Sequence, residues 1–488
     1  MSSCGHERIS LCGLRPLRDI LTDLAGRRVT LVGLGRLGGG EGAARFLTDR
    51  GARLTVTDLR SRQQLAPSID RLQDRNIDYR LEEHLPRDVR EAELVVANPG
   101  VPREADILRH ATAAGVPVTS PMNMFMALCA APTVGITGSN GKSTTTSMTG
   151  TILRRTDRRT WVGGNIGGSL LPDVDDIEPG DVVVLELSSY QLEDLSELHI
   201  SPGVAVVTNL SLNHLRRHGT MEAYERAKQY IGAHQDEDDT LILNATDSRL
   251  CAWGREAGPA RRLYFRADAP LRDDTEGAFA RDRDLIVCID GREETICDAS
   301  ELPLSGIHNR ENALAAATAA RVSGAGPEEI RQGLMDFQPL EHRQEFVGRV
   351  DQVSVYNDSL STTPRSAVAA VRSTDRPLVV IAGGYDKKLP LDGLAREIAR
   401  EAEGLVTLGE TGPELARQTR EAAGEASDGL VIEQAETLEE AIDTGLEISP
   451  SGGSLLFTPA CASFDMFENS EERGKKFKKL VRRRARSA

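Results

Sequence analysis

Residues 133–146 read TVGITGSNGKSTTT: a short apolar run, a glycine turn, then helix-forming threonines. A strand that passes through a glycine loop into a helix commits this part of the chain to an α/β sheet with crossover connections. The loop departs from the usual phosphate-binding spacing of Gly, four residues, Gly-Lys-Ser/Thr. Counting back from Gly141-Lys142-Ser143, the first glycine position holds Ile136, and glycines stand at 135 and 138 instead. Gly138 and Gly141 still let backbone amides approach phosphate oxygens, and the helix adds its positive N-terminal end. Lys142 reaches for terminal phosphates, and the hydroxyl of Ser143 or Thr144 suits Mg²⁺.

The same strand-and-turn pattern recurs on both sides. Gly33, Gly35 and Gly38 form G-x-G-x-x-G after the apolar run at Val29–Val32, and Asp58 closes the next strand 20 residues after Gly38. Spacing and context match a dinucleotide fingerprint, so the motif alone favours NAD. Further buried strands are expected in "AELVVANPGVP", "DVVVLELSSYQLE", "PGVAVVTNLSLNH", "DTLILNATD", "PLVVIAGGYDKK", "GLVTLGETG" and "GSLLFTPACASFDMF". Strands alternating with helical stretches predict mainly parallel sheets, with ligands outside the carboxyl ends. The stretch 261–304, with "LYFRAD", "LIVCIDG" and "TICDAS", reads as added antiparallel strands. The expected fold is α/β in three domains: a Rossmann-like N-terminal domain (1–120, with 1–26 an extension), a central P-loop ATPase-type domain with a mainly parallel sheet (121–339), and a Rossmann-like C-terminal domain (340–488). The chain's length of 488 residues accommodates three such cores.

Composition narrows the function. A net charge of −15 argues against general nucleic-acid binding, which needs a basic footprint. The basic tail "RGKKFKKLVRRRARSA" reads as a solvated helix end. Seven scattered cysteines without a C-x-x-C pair predict reduced thiols and a cytoplasmic protein. No apolar run is long enough to predict a membrane span, and the charged N-terminus does not read as a signal peptide.

The loop TGSNGKST resembles that of the Mur ligases and their folylpolyglutamate synthase relatives. "GGNIGGSL" (163–170), "ELSSYQLE" (186–193), "NH" (213–214), "AYERAK" (223–228), "GIHNRENALAA" (306–316), "EHRQEF" (341–346), "YNDS" (356–359) and "TPACASFDMFENSEERGKKF" (458–477) follow in that family's order. "ELSSYQLE" and "PACASFDMF…ERG" point to the branch that adds glutamate to UDP-N-acetylmuramoyl-L-alanine. The resemblance implies ATP-dependent, ADP-forming amide ligation in peptidoglycan precursor synthesis, with ATP and two Mg²⁺ ions, by a monomer. The folate relatives lack the first domain present here.

Residue by residue, it implies ATP contacts at Gly138, Asn140, Gly141, Lys142, Ser143, Thr144, Asn312, Arg343 and Asp358. It implies metal ligation by Ser143, Glu186, His214 and Lys228, the last as a carbamate, with Lys142, His214 and Lys228 catalytic. It replaces NAD in the first domain by the UDP-substrate, bound by Gly33, Gly35, Arg36, Leu37, Asp58, Arg60 and Asn98, with Asn165 nearer the reacting end. It puts glutamate at Thr362, Ser463, Phe467 and one of Lys387 or Lys388. Here the sequence departs from the pattern: Leu360 stands where D-glutamate relatives commonly carry a lysine, and Asn213 where they carry an aspartate. The missing cation argues against a standard D-glutamate pocket; the resemblance still makes D-glutamate the first expectation, with the same ligation on L-glutamate, or another Mur-type acid–amine ligation, as alternatives.

Overall fold

The structure is a computed structural model that describes residues 14–35, 38–211, 215–304, 306–339, 341–424 and 429–486. Three sheets organise these residues. The first has five strands: β1 (Arg28–Val32), β2 (Arg53–Asp58), β3 (Ile77–Leu81), β4 (Leu94–Ala97) and β5 (Val118–Thr119). Their order is β3-β2-β1-β4-β5, all parallel. This is the Rossmann-like order, and it reverses between β1 and β4.

The central sheet holds β6 (Thr133–Thr137), β7 (Thr160–Gly164), β8 (Val182–Glu186), β9 (Val204–Val207), β10 (Thr240–Asn244), β11 (Arg261–Arg266), β12 (Gly277–Arg281), β13 (Asp284–Ile289) and β14 (Arg292–Asp298). They run β14-β13-β12-β11-β10-β9-β6-β8-β7. β6, β8 and β10 are buried at every position. Such unbroken apolar runs suit parallel strands covered on both faces. The expectation of antiparallel strands across 261–304 holds only in part. β11, the "LYFRAD" strand, runs parallel to β10, and β12 parallel to β11; only β12–β13 and β13–β14 are antiparallel. The reason is the helix Ser248–Glu256, which supplies the crossover that a parallel neighbour requires. Tight turns come only later, where Asp282 and Asp290-Gly291 take positive φ.

The third sheet comprises β15 (Glu345–Val350), β16 (Val353–Asn357), β17 (Leu378–Ala382), β18 (Gly404–Thr407), β19 (Val431–Gln434) and β20 (Ser454–Phe457). Its order is β15-β16-β20-β17-β18-β19, parallel except for β15–β16.

The chain packs as two compact units. One runs to Glu301 and includes Glu311–Asp336; the other joins Leu302–Arg310 to Phe337 and beyond. In the first unit a single apolar core runs from Leu31, Phe46 and Val56 through Met124, Phe125 and Leu171 to Val183, Leu185 and Val207. The first two sheets are thus welded rather than tethered. In the second unit, Phe457 on β20 stacks on Phe477 with centroids 4.6 Å apart. Phe477 is fully buried in the helix Ser470–Arg484. Phe477→Ala should cost about 3–5 kcal/mol of that unit's stability. A calorimetric scan in which its transition does not move would contradict this.

Candidate active site

β6 delivers its loop between β9 and β8 of the second sheet. Gly141 takes φ +83 as the N-cap of the helix Lys142–Leu153, and Gly138 takes φ +142. Neither could be another residue. A Cβ at 138 would lie 2.0 Å from Thr208 Oγ1, and one at 141 would lie 2.3 Å from Asn312 Oδ1. Two residues that follow β9 brace the loop. Asn140 N–H donates to Asn209 Oδ1 at 3.0 Å, while Thr208 Oγ1 and Asn209 Nδ2 donate to the Asn140 carbonyl at 2.6 and 3.0 Å. Lys142 Nζ folds back on the Ser139 carbonyl at 3.1 Å. Thr145 Oγ1 donates to Asn312 Oδ1 at 3.2 Å, which brings Asn312 against the first turn of the helix.

Beside this loop lie two buried ionisable groups. Glu186, at the end of β8, is 1 % exposed. Its Oε1 accepts from Asn165 Nδ2 at 2.9 Å, whereas Oε2 has no hydrogen-bond partner among the described residues. Lys228 is 2 % exposed and donates from Nζ to Thr137 Oγ1 at 2.8 Å. Burial drives its pKa well below the usual amine value; the Lys142 cation pushes the same way, and Glu186 opposes. A buried amine of this kind gives up its proton more readily than a free lysine, which favours its nucleophilic form. An orphaned carboxylate oxygen in a polar cradle is a group waiting for a cation. The residues therefore fit Mg²⁺: the carboxylate of Glu186, the hydroxyl of Ser143 at the start of the helix, and Lys228 once it carries an oxygen-bearing group. His214 lies outside the described residues.

At the switch between β1 and β4, Gly33, Gly35 and Gly38 all take positive φ. A Cβ on Gly33 would meet Val101 Cγ2 at 2.9 Å and Asn98 Cβ at 3.3 Å, so the turn packs directly against Asn98. Asp58 is buried, and its two oxygens accept from Gly35 N–H at 3.2 Å and Arg60 N–H at 2.9 Å. In a dinucleotide site that acid faces a ribose. Here backbone amides occupy it, and the carboxylate serves to hold the glycine turn. Arg36 and Leu37 lie outside the described residues. Asn165 is brought to Glu186, not to this turn. Its loop nevertheless reaches the first sheet, because a Cβ on Gly42 of the helix Gly39–Asp49 would meet Ser169 Oγ at 2.7 Å.

In the second unit, the loops after β16, β17 and β20 converge. Asp358 is buried, accepts from Thr458 Oγ1 at 2.8 Å and from Gln344 N–H at 3.2 Å, and is pushed up to about 6 by burial. Arg343 lowers it in turn. Arg343 Nε is buried without a partner among the described residues. Lys387 Nζ donates to the carbonyl and hydroxyl of Thr362 at 3.1 and 3.2 Å, and burial lowers its pKa. Lys388 turns outward and pairs with Asp386 at 2.5 Å. Tyr385 bridges to Ala462, next to buried Ser463, whose carbonyl accepts from Phe467 N–H at 2.7 Å. Thr362, Lys387, Ser463 and Phe467 thus share one end of the sheet, and Lys388 stands apart. Leu360 is half-buried and donates its N–H to the His342 carbonyl at 3.1 Å.

Three supporting residues escape a reading of the sequence. Tyr224 holds Ser139 Oγ at 3.1 Å. Asn209 braces Asn140, as described above. Arg473, 2 % exposed, spans Ser359, Cys461 and Ala462 with its guanidinium. Its signal was the "ERG" of the last motif.

Comparison with known proteins extends these local geometries to the whole chain. Residues 27–120 match the model of the Mur ligase MurD-like N-terminal domain, 136–320 the Mur ligase middle domain, and 342–461 the Mur ligase glutamate ligase domain. The chain is 40% identical over 463 residues to the UDP-N-acetylmuramoylalanine–D-glutamate ligase of Roseiflexus sp. (strain RS-1), covering 94% of this chain and 99% of that one. It is also 40% identical over 438 residues to the protein of that name from Symbiobacterium thermophilum, covering 90% and 94%. Among solved structures, the UDP-N-acetylmuramate-alanine ligase MurC of Thermotoga maritima aligns with a TM-score of 0.62 at 18% identity, covering 95% of this chain and all of that one. That likeness speaks to the fold alone. Three consecutive domain models and near-complete alignment at this identity leave one conclusion: the chain belongs to the Mur ligase family.

Proposed function

We propose that this chain joins the amine of D-glutamate to the carboxylate of UDP-N-acetylmuramoyl-L-alanine, with ATP converted to ADP and phosphate. The observation that carries the reading is its near end-to-end alignment with ligases of that name. The site chemistry supports it. A carboxylate does not react with an amine at neutral pH, because oxide is a poor leaving group. Transfer of the γ-phosphoryl of ATP makes an acyl phosphate; the glutamate amine attacks it, and the tetrahedral intermediate collapses to amide and phosphate.

In this reading the Gly138–Gly141 amides and Lys142 hold the ATP phosphates in line with the incoming carboxylate. Asn312, Arg343 and Asp358 are the further ATP candidates, with Asn140 and Thr144 lining the loop. The Gly33–Gly38 turn with Asp58, Arg60 and Asn98 holds the UDP end of the substrate. Asn165 fixes Glu186. Ser143, Glu186 and carbamylated Lys228 hold Mg²⁺, with His214 assigned to the second ion. Mg²⁺, when bound, supplies charge neutralisation at the transferring phosphoryl. The Lys228 amine, whose pKa burial lowers, is suited to take up CO₂ with loss of a proton, and so to become an anionic oxygen ligand.

Lys387, with Thr362, Ser463 and Phe467, takes glutamate. Lys387→Ala should raise the glutamate KM at least about tenfold with little change for ATP, because a buried carboxylate without its cation is strongly disfavoured. Lys388→Ala, whose amine already pairs with Asp386, should leave it unchanged. Equal KM values in both variants and wild type would place the cation elsewhere. The assignment as a whole is tested by phosphate release that requires ATP, UDP-N-acetylmuramoyl-L-alanine and glutamate together. Parallel D- and L-glutamate arms decide the enantiomer, and a preference for L-glutamate overturns that part alone.

A further inference from the structure

The chemistry above draws on Glu186 at the end of β8 and Lys228 on the helix Met221–Gln229, but it leaves His218 without a part. That imidazole is sealed, with 2 % of its side chain exposed. Nε2 lies 3.0 Å from Ser189 Oγ, and Nδ1 lies 3.5 Å from Glu193 Oε1. The tautomer that satisfies both neighbours carries its proton on Nδ1, facing the carboxylate, and accepts the Ser189 hydroxyl at Nε2. Burial raises the pKa of Glu193, yet the hydrogen bond from His218 and the nearby Arg217 and Arg103 cations bring it below the usual value. The ring also packs on Tyr190 and Tyr224, with centroids 5.7 and 5.3 Å away.

Each of these contacts leads back to the site. Ser189 stands three residues after Glu186 and begins the helix Ser189–Ser196, whose capping box is Ser188 with Gln191. Tyr224 reaches the phosphate loop through Ser139, and Lys228 Nζ lies 5.4 Å from the Tyr224 ring centroid. His218 itself sits just before Thr220, the N-cap of the helix that carries Lys228. One imidazole therefore fastens the segment bearing Lys228 to the segment bearing Glu186.

We propose that His218 is a positioning residue that, through Ser189, Glu193 and Tyr224, sets the separation of Glu186 and Lys228 and so the geometry in which a divalent cation is held. The proposal rests on the metal role assigned to those two residues. It differs from simple core packing in what it makes His218 control: metal affinity and the state of the Lys228 amine, rather than folding alone.

The test compares wild type with His218→Ala and His218→Gln, whose amide reaches the Nε2 position and keeps the Ser189 contact. Mn²⁺ binding in the presence of ADP is followed by electron paramagnetic resonance. Lys228 carbamate is followed by NMR after incubation with ¹³C-bicarbonate, and kcat and KM are measured alongside. For His218→Ala, Mn²⁺ affinity and kcat should each fall about 10–100-fold, the range for groups that orient metal ligands. The carbamate resonance should shrink, and the KM for the UDP-substrate should stay near wild type. His218→Gln should recover a good part of both losses. Folded His218→Ala with wild-type Mn²⁺ affinity and an unchanged carbamate resonance overturns the proposal, whatever its melting temperature. If the alanine variant does not fold, the same two readouts on His218→Gln decide: partial loss supports the proposal, and none overturns it. A wild type without any carbamate resonance sinks the Lys228 modification instead. Mn²⁺ affinity then judges His218 alone, weakening supporting the proposal and constancy overturning it.

Discussion

Lys142→Ala is expected to abolish ATP turnover while binding of the UDP-substrate persists. The amine stands at the first residue of the helix that follows the glycine loop, where it adds a full charge to the helix end. No neighbour can replace it. Lys228 is buried, donates to Thr137 and has its pKa lowered by that burial, and the loop amides carry only partial charge. Losing one preorganised donor to a developing charge typically costs about 10²–10³ in rate, or about 3–4 kcal/mol. The Gly33–Gly38 turn lies on a different sheet, so calorimetric titration with the UDP-substrate should give an affinity close to wild type. A variant that retains more than about a tenth of the wild-type rate would rule out the phosphate role, since such a clamp is worth well over tenfold.

The second large effect concerns Lys228. Lys228→Ala should lower kcat at least about a hundredfold, the loss expected when a metal site gives up a ligand in a water-poor pocket. Short carboxylic acids should restore part of the rate, because they return oxygen ligands to the space the side chain leaves. Lys228→Arg should remain inactive. Arginine keeps a cation where the reading demands an anion, and a guanidinium cannot form a carbamate. Bicarbonate should stimulate dialysed wild type. Full activity of Lys228→Arg without added acid would show that a cation suffices there. Burial first, and the Lys142 cation second, lower the pKa of the wild-type amine well below the usual value, so CO₂ uptake should need less alkaline conditions than for a free lysine.

What the sequence disclosed depended on range. The phosphate loop was legible because its strand, glycines, lysine and helix are contiguous in the chain. The Rossmann-like start of the first domain was legible from one strand–turn–helix–strand pattern for the same reason. The braces were not legible. Thr208 and Asn209 meet Asn140 only because β9 lies beside β6, and Tyr224 meets Ser139 across 85 residues. The motif at Gly33–Gly38 gave the turn; only the structure reveals that Asp58 accepts from two backbone amides and so braces it. The parallel placement of "LYFRAD" turns on its crossover helix, Ser248–Glu256, which is only nine residues long. The choice between Lys387 and Lys388 required side-chain direction. A positive φ at Lys388 sends consecutive lysines to different surroundings.

The common core of the first two sheets has a consequence for selectivity. Leu31 and Phe46 belong to the same apolar body as Val183 and Leu185, and the helix Gly39–Asp49 rests on the loop that orients Asn165. The span from the Gly33 turn to Glu186 is therefore bridged by packed side chains. If the diphosphate sits at that turn and the reacting carboxylate at Glu186, as proposed above, this shared core would present the carboxylate at a set reach. The weld between the two sheets would then act as a gauge of length: precursors with one amino acid fewer or more should be poor substrates even where every polar contact at the nucleotide end is made.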